Sequence, residues 1–130
     1  MIVVYTDAAS KGNPGESGVG IVIKQDKNHE EYSFPIGVHT NHEAEFLAVI
    51  KALEICKEKY PYEVLSFRTD SKVVVDVIEN NRTKNKSFQP LLEKIQNLSS
   101  EFPLFFIKWI PEKENRNADR LAKKSIYQEK

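Results

Sequence analysis

The sequence predicts an α/β domain built on a five-stranded mixed β-sheet with helices on both faces. Three observations predict it. Between residues 2 and 36 lie three strand-like runs joined by turn signals, too close together for helical crossovers. Near residue 41 the spacing of apolar residues changes from that of a strand to that of a helix. Beyond it, two more apolar strand runs each follow a helical stretch, the arrangement that usually makes parallel neighbours.

The first strand is predicted over residues 2–7, Ile-Val-Val-Tyr-Thr-Asp, where β-branched and aromatic side chains dominate. Asn13-Pro14-Gly15 ends it with a turn. Residues 18–23 form the second strand, and Gly18 and Gly20 in it predict a close backbone approach. Residues 24–30 read as a polar turn. Tyr32, Phe34 and Ile36 then alternate with polar residues, and Pro35 puts this third strand at an edge. A helix is predicted over residues 41–58, with Glu45, Val49, Ala52, Leu53 and Cys56 on one face. Residues 64–69 form the fourth strand, ending at Asp70. Ser71 caps a short helix running to about Asn80. A polar, basic loop spans residues 80–89, and a helix spans residues 90–99 with Leu91, Leu92, Ile95 and Leu98 inward. Residues 104–109 form the fifth strand, whose terminal Trp109 is expected in the core. Residues 111–117 form a charged loop. Ala118, Leu121, Ala122, Ser125 and Ile126 then share the face of a last helix.

A chain of 130 residues is long enough for one domain with one core. Its 19 basic and 19 acidic residues cancel, so no global field draws in a polyanion, and nucleic-acid contact would rest on local patches. The single cysteine, Cys56, excludes an internal disulfide and fits a reducing compartment. The apolar start is too short, and lacks the basic flank, for a signal peptide. No segment approaches the length of a membrane span. These features predict a cytoplasmic protein with no membrane association.

The acids carry the chemistry. The meander makes the third strand parallel to the first, so strands one, three, four and five finish at one rim of the sheet. Asp7 and Asp70 end the first and fourth strands, while Glu45 and Asp119 lie in the first turns of the helices after the third and fifth. Each Asp alone has an ordinary explanation as a turn former, helix cap or dipole partner. Glu45 does not, because an acid on an apolar helix face needs a partner. Carboxylates crowded at one rim repel unless cations neutralise them, and Mg²⁺ held by carboxylates is the usual pairing. Two histidines, His39 and His42, flank Asn41 but have no third ligand for zinc. The glycines between Gly12 and Gly20 lead into a strand rather than a helix, which excludes a phosphate loop.

Four stretches resemble the motifs of ribonuclease HI: Asp7-Ala8-Ala9-Ser10-Lys11-Gly12-Asn13-Pro14-Gly15, Thr40-Asn41-His42-Glu43-Ala44-Glu45, Thr69-Asp70-Ser71 and Asn117-Ala118-Asp119-Arg120-Leu121-Ala122. The resemblance spans essentially the whole chain. It implies the family's sheet order 3-2-1-4-5 and a two-metal site formed by Asp7, Glu45, Asp70 and Asp119. Asp7 would bridge the two cations, with Glu45 and Asp70 completing one and Asp119 the other. The cations would be Mg²⁺, with Mn²⁺ able to substitute. The implied reaction is endonucleolytic hydrolysis of the RNA strand of RNA/DNA hybrids, leaving 3′-hydroxyl and 5′-phosphate ends. Two cations can hold the attacking water and stabilise the leaving oxygen.

The chain departs from the pattern in places. The loop before the fourth acid lacks the histidine that many members carry, as a branch of the family does, and Glu114 is the candidate replacement. Ala8 stands where a Gly is frequent, and His42 where a second Asn is common. The basic protrusion of some members is reduced to residues 80–89. Ser10, Asn13, Asn41 and Gln89 are candidate readers of 2′-hydroxyls by family analogy, and Lys11, Arg82, Lys84 and Lys86 candidate phosphate contacts. Solvated surface is the competing explanation for each of these. No obligate protein partner is evident, and a monomer is expected. Two other functions fit less well: a nuclease for structured DNA on the same fold, and a hybrid-binding protein with weak or lost catalysis.

Overall fold

The computed structural model describes residues 1–127. Strands β1 (Ile2–Ser10), β2 (Gly15–Gln25) and β3 (Asn28–His39) form an antiparallel meander. Helix α1 (Asn41–Lys59) crosses to β4 (Leu65–Thr69), and α2 (Lys72–Asn80) and α3 (Gln89–Ser99) lead to β5 (Phe105–Trp109). A 3₁₀ turn, Glu112–Glu114, precedes α4 (Arg116–Tyr127). The sheet order is β3-β2-β1-β4-β5, as the family resemblance implies, with β4 parallel to both β1 and β5.

The first three strands are longer than predicted. The β2–β3 turn shrinks to Asp26-Lys27, because Asp26 takes a left-handed conformation (φ 53°) that aspartate tolerates. Lys24 and Gln25 are thereby freed to pair with His29 and Asn28. On β1, the ladder to β4 stops at Thr6–Thr69, while the ladder to β2 continues to Ser10–Ser17. Asp7 is therefore not a strand terminus. It stands where β1 parts from one neighbour while still held by the other.

The two faces of the sheet are covered unequally. Ile2, Val4, Ile21, Leu65 and Phe67 point to the face packed under α1, α2 and α3, where Phe46, Val49 and Leu53 meet them with no solvent exposure. Cys56 lies in this core as expected, and burial pushes its thiol up to about 12. The opposite face carries α4, whose Ala118 and Leu121 pack on Val22 and Tyr5. Here the expectation of close backbone approach holds. A Cβ on Gly20 would collide with the Ala118 carbonyl and the Ala122 amide, and one on Gly18 with Ser125. Only glycine at these positions lets α4 settle so near β2.

Local signals set the helix starts. Thr40 Oγ1 accepts from the Glu43 amide at 3.2 Å, while Glu43 Oε1 accepts from the Thr40 amide at 2.9 Å. This capping box fixes the first residue of α1. Ser71 Oγ accepts from the Val74 amide at 3.3 Å and caps α2, as predicted. Among the described residues, no helix is long and apolar enough to cross a membrane.

Candidate active site

The site begins with strand register. Thr6 and Thr69 are the last paired residues of the parallel β1–β4 ladder, and the next residue of each strand is an acid, Asp7 and Asp70. α1, whose start is fixed by the Thr40 box, carries Glu45 one turn in. α4, pressed against Gly20, carries Asp119 in its first turn. Carboxylate oxygens of Asp7, Glu45 and Asp70 lie within 4.8 Å of one another. Asp119 lines the same cleft, of about 290 Å³, together with Ser10, Asn41 and Glu112. The four predicted acids are thus brought to one place.

Their surroundings do not neutralise them. Asp7 is only 5 % exposed. Burial, then the charge of Asp70, pushes its carboxyl up to about 7, opposed by the Ala8 amide donating to Oδ1 at 2.9 Å. Burial likewise raises Glu45 well above the usual carboxylate range, with Asp7 and Asp70 adding to it. Glu45 Oε1 is buried with no hydrogen-bond partner among the described residues. Burial also raises Asp70, and Glu112 and Asp119 add to this, while the Asn115 amide opposes it. Among the described residues only Asp119 has a cationic partner, Lys123 Nζ at 3.0 Å. Three carboxyl groups that favour protons in each other's company, with one oxygen unsatisfied, are suited to hard cations with oxygen ligands.

Asn115 was not singled out from the sequence. It is 1 % exposed, and its Nδ2 donates to the Thr6 carbonyl at 2.9 Å, tying the loop before α4 to β1 just before Asp7. An Asn immediately ahead of a periodic helical stretch is a recognised start signal and could have pointed to it.

Two expectations fail in this region. Trp109 is 42 % exposed rather than core. It closes an edge strand beyond Ile107, the last buried residue of β5, and opens on a depression that adjoins the acid cleft through Asn41, Glu45, Asp70 and Glu112. Its Nε1 donates to the Asp70 carbonyl at 3.1 Å, and Lys72 Nζ lies 4.9 Å from its ring centre. Glu114, the candidate replacement for the loop histidine, lines a different cavity, while Glu112 lines the acid cleft. The 3₁₀ turn rotates the two side chains to opposite sides of the loop.

The candidate substrate residues divide into two groups. Ser10 and Asn41 line the cleft. Ser10 Oγ shares a hydrogen bond of 2.7 Å with Ser17 Oγ, and the Asn41 amide donates to Asn13 Oδ1 at 2.9 Å. Lys11 is exposed, 3.9 Å from Glu16 and 5.1 Å from the Tyr127 ring centre. Arg82 and Lys84 line a separate depression with Asn80 and Thr83. Gln89 Nε2 donates to the Thr83 carbonyl at 3.1 Å and fastens that loop. Phe88 packs 4.8 Å from Phe46, ring centre to ring centre, and docks the loop's end on α1 beside His42.

The RNase H family model matches residues 1–127. A putative hydrolase of Enterococcus faecalis, EbsB, is 46 % identical over 97 % of this chain and 94 % of its own. A ribonuclease H of Trichodesmium erythraeum is 33 % identical over 95 % of this chain and 87 % of its own. The crystal structure of LC11-RNase H1 in complex with an RNA/DNA hybrid superposes with a TM-score of 0.91 at 30 % identity, covering 98 % of both chains.

Proposed function

The chain belongs to the RNase H family, and we propose that it cuts the RNA strand of RNA/DNA hybrids internally with divalent cations, leaving 5′-phosphate and 3′-hydroxyl ends. The observation that carries this reading is the approach of Asp7, Glu45 and Asp70 oxygens within 4.8 Å. The buried, unpartnered Glu45 Oε1 marks the same spot as one that expects a cation. Asp7, Glu45 and Asp70 would hold one ion, and Asp7 with Asp119 a second. Mg²⁺ fits these hard oxygen donors, and Mn²⁺ would substitute. Such a pair, when bound, supplies Lewis acidity for the attacking water and charge stabilisation for the leaving oxygen of an in-line displacement.

The chain's own groups position the reaction. Asn115 holds the backbone of β1 at Thr6 and keeps Asp7 in place between the strands. Lys123 orients the Asp119 carboxylate. Asn13 fixes the start of α1, and with it Asn41 and Ser10 stand at the cleft as small polar groups able to meet 2′-hydroxyls. The hybrid bound by the similar LC11 enzyme supports the substrate class.

The test is cleavage of end-labelled RNA/DNA hybrid, duplex RNA and duplex DNA in Mg²⁺ and in Mn²⁺. Cutting of the RNA strand of the hybrid alone, with a 3′-hydroxyl on the upstream product, is the expected result. Cutting of duplex DNA, or unchanged turnover by Asp7→Asn, would sink the reading. Tight hybrid binding without cutting would favour a binding protein instead, a reading that draws on the loop carrying Glu112 rather than a histidine to the cleft.

A further inference from the structure

α4 packs across β1, β2 and β3, while the same face of the sheet stays open over β4 and β5. Cross-strand pairing sets two rows of residues on that face. One runs Val22, Tyr5, Arg68, Lys108, and the other Lys24, Val3, Ser66, Phe106. Phe106 is 52 % exposed. Arg68 and Lys24 both lie over the Tyr5 ring, at 5.8 and 5.2 Å from its centre. At the border with α4 the face dips into a cavity of about 190 Å³, lined among others by Tyr5, Lys24, Lys113, Arg116 and Asn117. That is below the size of sites for drug-like ligands, which start at about 300 Å³, but it has room for a phosphate group.

Among the residues named on this face and its cavity, cations outnumber acids five to one. Nine ion pairs are formed among the described residues, and none involves Lys24, Arg68, Lys108, Lys113 or Arg116. Arg68 Nε is also buried without an acceptor. Glu114 is the one acid on the cavity wall. In a chain of zero net charge, five cations without ion pairs, on the same face as the exposed Phe106 ring, form a local anion-seeking surface.

We propose that this open face of β4–β5, with the cavity at its border, is a second nucleic-acid contact that takes a single strand, its phosphates on Lys24, Arg68, Lys108, Lys113 and Arg116 and a base on Phe106. Cationic tracks with an exposed aromatic platform are how single strands are held without sequence preference. The loop of residues 112–117 divides the two sites, sending Glu112 into the acid cleft and Glu114 into this cavity. A single-stranded tail leaving a hybrid in the cleft would reach the open face around that loop. The choice of nucleic acid over other polyanions rests on the function proposed above, and the test separates the two ideas.

The test uses the full chain carrying Asp7→Asn, in EDTA, so that hydrolysis plays no part. Fluorescence anisotropy follows a labelled 20-nucleotide single-stranded DNA. The Lys24→Glu/Lys108→Glu/Lys113→Glu variant should bind at least tenfold more weakly. Its dependence of log affinity on log salt should flatten by about 2, since each phosphate contact on a single strand contributes about 0.7. A blunt hybrid should bind within twofold of the parent. Charge reversal of Lys51, Lys57 and Lys94, on α1 and α3, is the control for net charge and should leave single-strand affinity within twofold. Phe106→Ala should weaken binding without changing the salt slope. Equal losses from both triple variants, an unchanged affinity in the first, or no single-strand binding by the parent at 50 mM salt would each overturn the proposal. If the chain binds as described but the enzyme never cuts hybrid, the nuclease reading falls and this one stands.

Discussion

Asp7 shows how one residue's burial becomes a pH dependence. In the unfolded chain an Asp titrates near 3.9, whereas in the metal-free fold Asp7 is pushed up to about 7. Between those values folding takes up a proton. The contribution is therefore full below pH 4 and is lost as pH rises through 7, at most about 4 kcal/mol for a shift of this size. Asp7→Asn removes the penalty. Its melting temperature in EDTA should match wild type near pH 4 and exceed it increasingly toward pH 7.5, by roughly 5 °C or more. Its hybrid cleavage in Mg²⁺ should fall about 10³-fold or further, the scale of several kcal/mol of lost cation-borne stabilisation. A difference in melting that stays flat with pH would show that burial does not hold Asp7's proton. Glu112 and Glu114 offer a second comparison. Glu112→Gln should change the Mg²⁺ concentration needed for half-maximal cutting, because Glu112 raises Asp70 in the cleft. Glu114→Gln should leave that concentration unchanged, because its side chain lines the other cavity.

At the scale of elements, the site is a consequence of how closely α4 lies on β2. Gly20 pairs directly with Asp7 across β1–β2, and the first turn of α4 rests on it. Gly20→Ala must push α4 outward, a strain of about 1–3 kcal/mol, and carry Asp119 away from Asp7. Circular dichroism melts should show the loss of stability. Cleavage should fall further than stability explains, and a variant that melts lower but cuts normally would count against this coupling. The elements that matter were legible in the sequence through pattern. The glycines of the second strand announced a close approach, and Glu45 betrayed itself as an acid on an apolar face. What was not legible depends on where cover ends. Trp109 reads as core because Phe105 and Ile107 share its face, and only the sheet order shows that β5 is an edge with its last residue at an open cleft. The choice between Glu112 and Glu114 depends on a single 3₁₀ turn, which no periodicity in so short a loop reveals. Asp7 was expected at a strand end, because composition cannot tell that one ladder stops at Thr6 while another runs on to Ser10.

For the molecule as a whole, ligand binding and stability are linked through the same carboxyls. Cations that bind only the folded chain stabilise it by about 2.7 kcal/mol at 100 times their dissociation constant, and here they also relieve repulsion among Asp7, Glu45 and Asp70. Mg²⁺ should raise the melting temperature of wild type by several degrees and that of Asp7→Asn by much less, as read by differential scanning fluorimetry. An equal rise in both would place the stabilising ions elsewhere. The core beneath the site supplies its own gauge of opening. Cys56 is sealed on the inner face of α1 with a thiol pushed up to about 12, so almost none of it is the reactive thiolate while the fold is closed. A maleimide added to the native protein should therefore wait for the chain to open, and its labelling rate would time the breathing of the helix that carries Glu45.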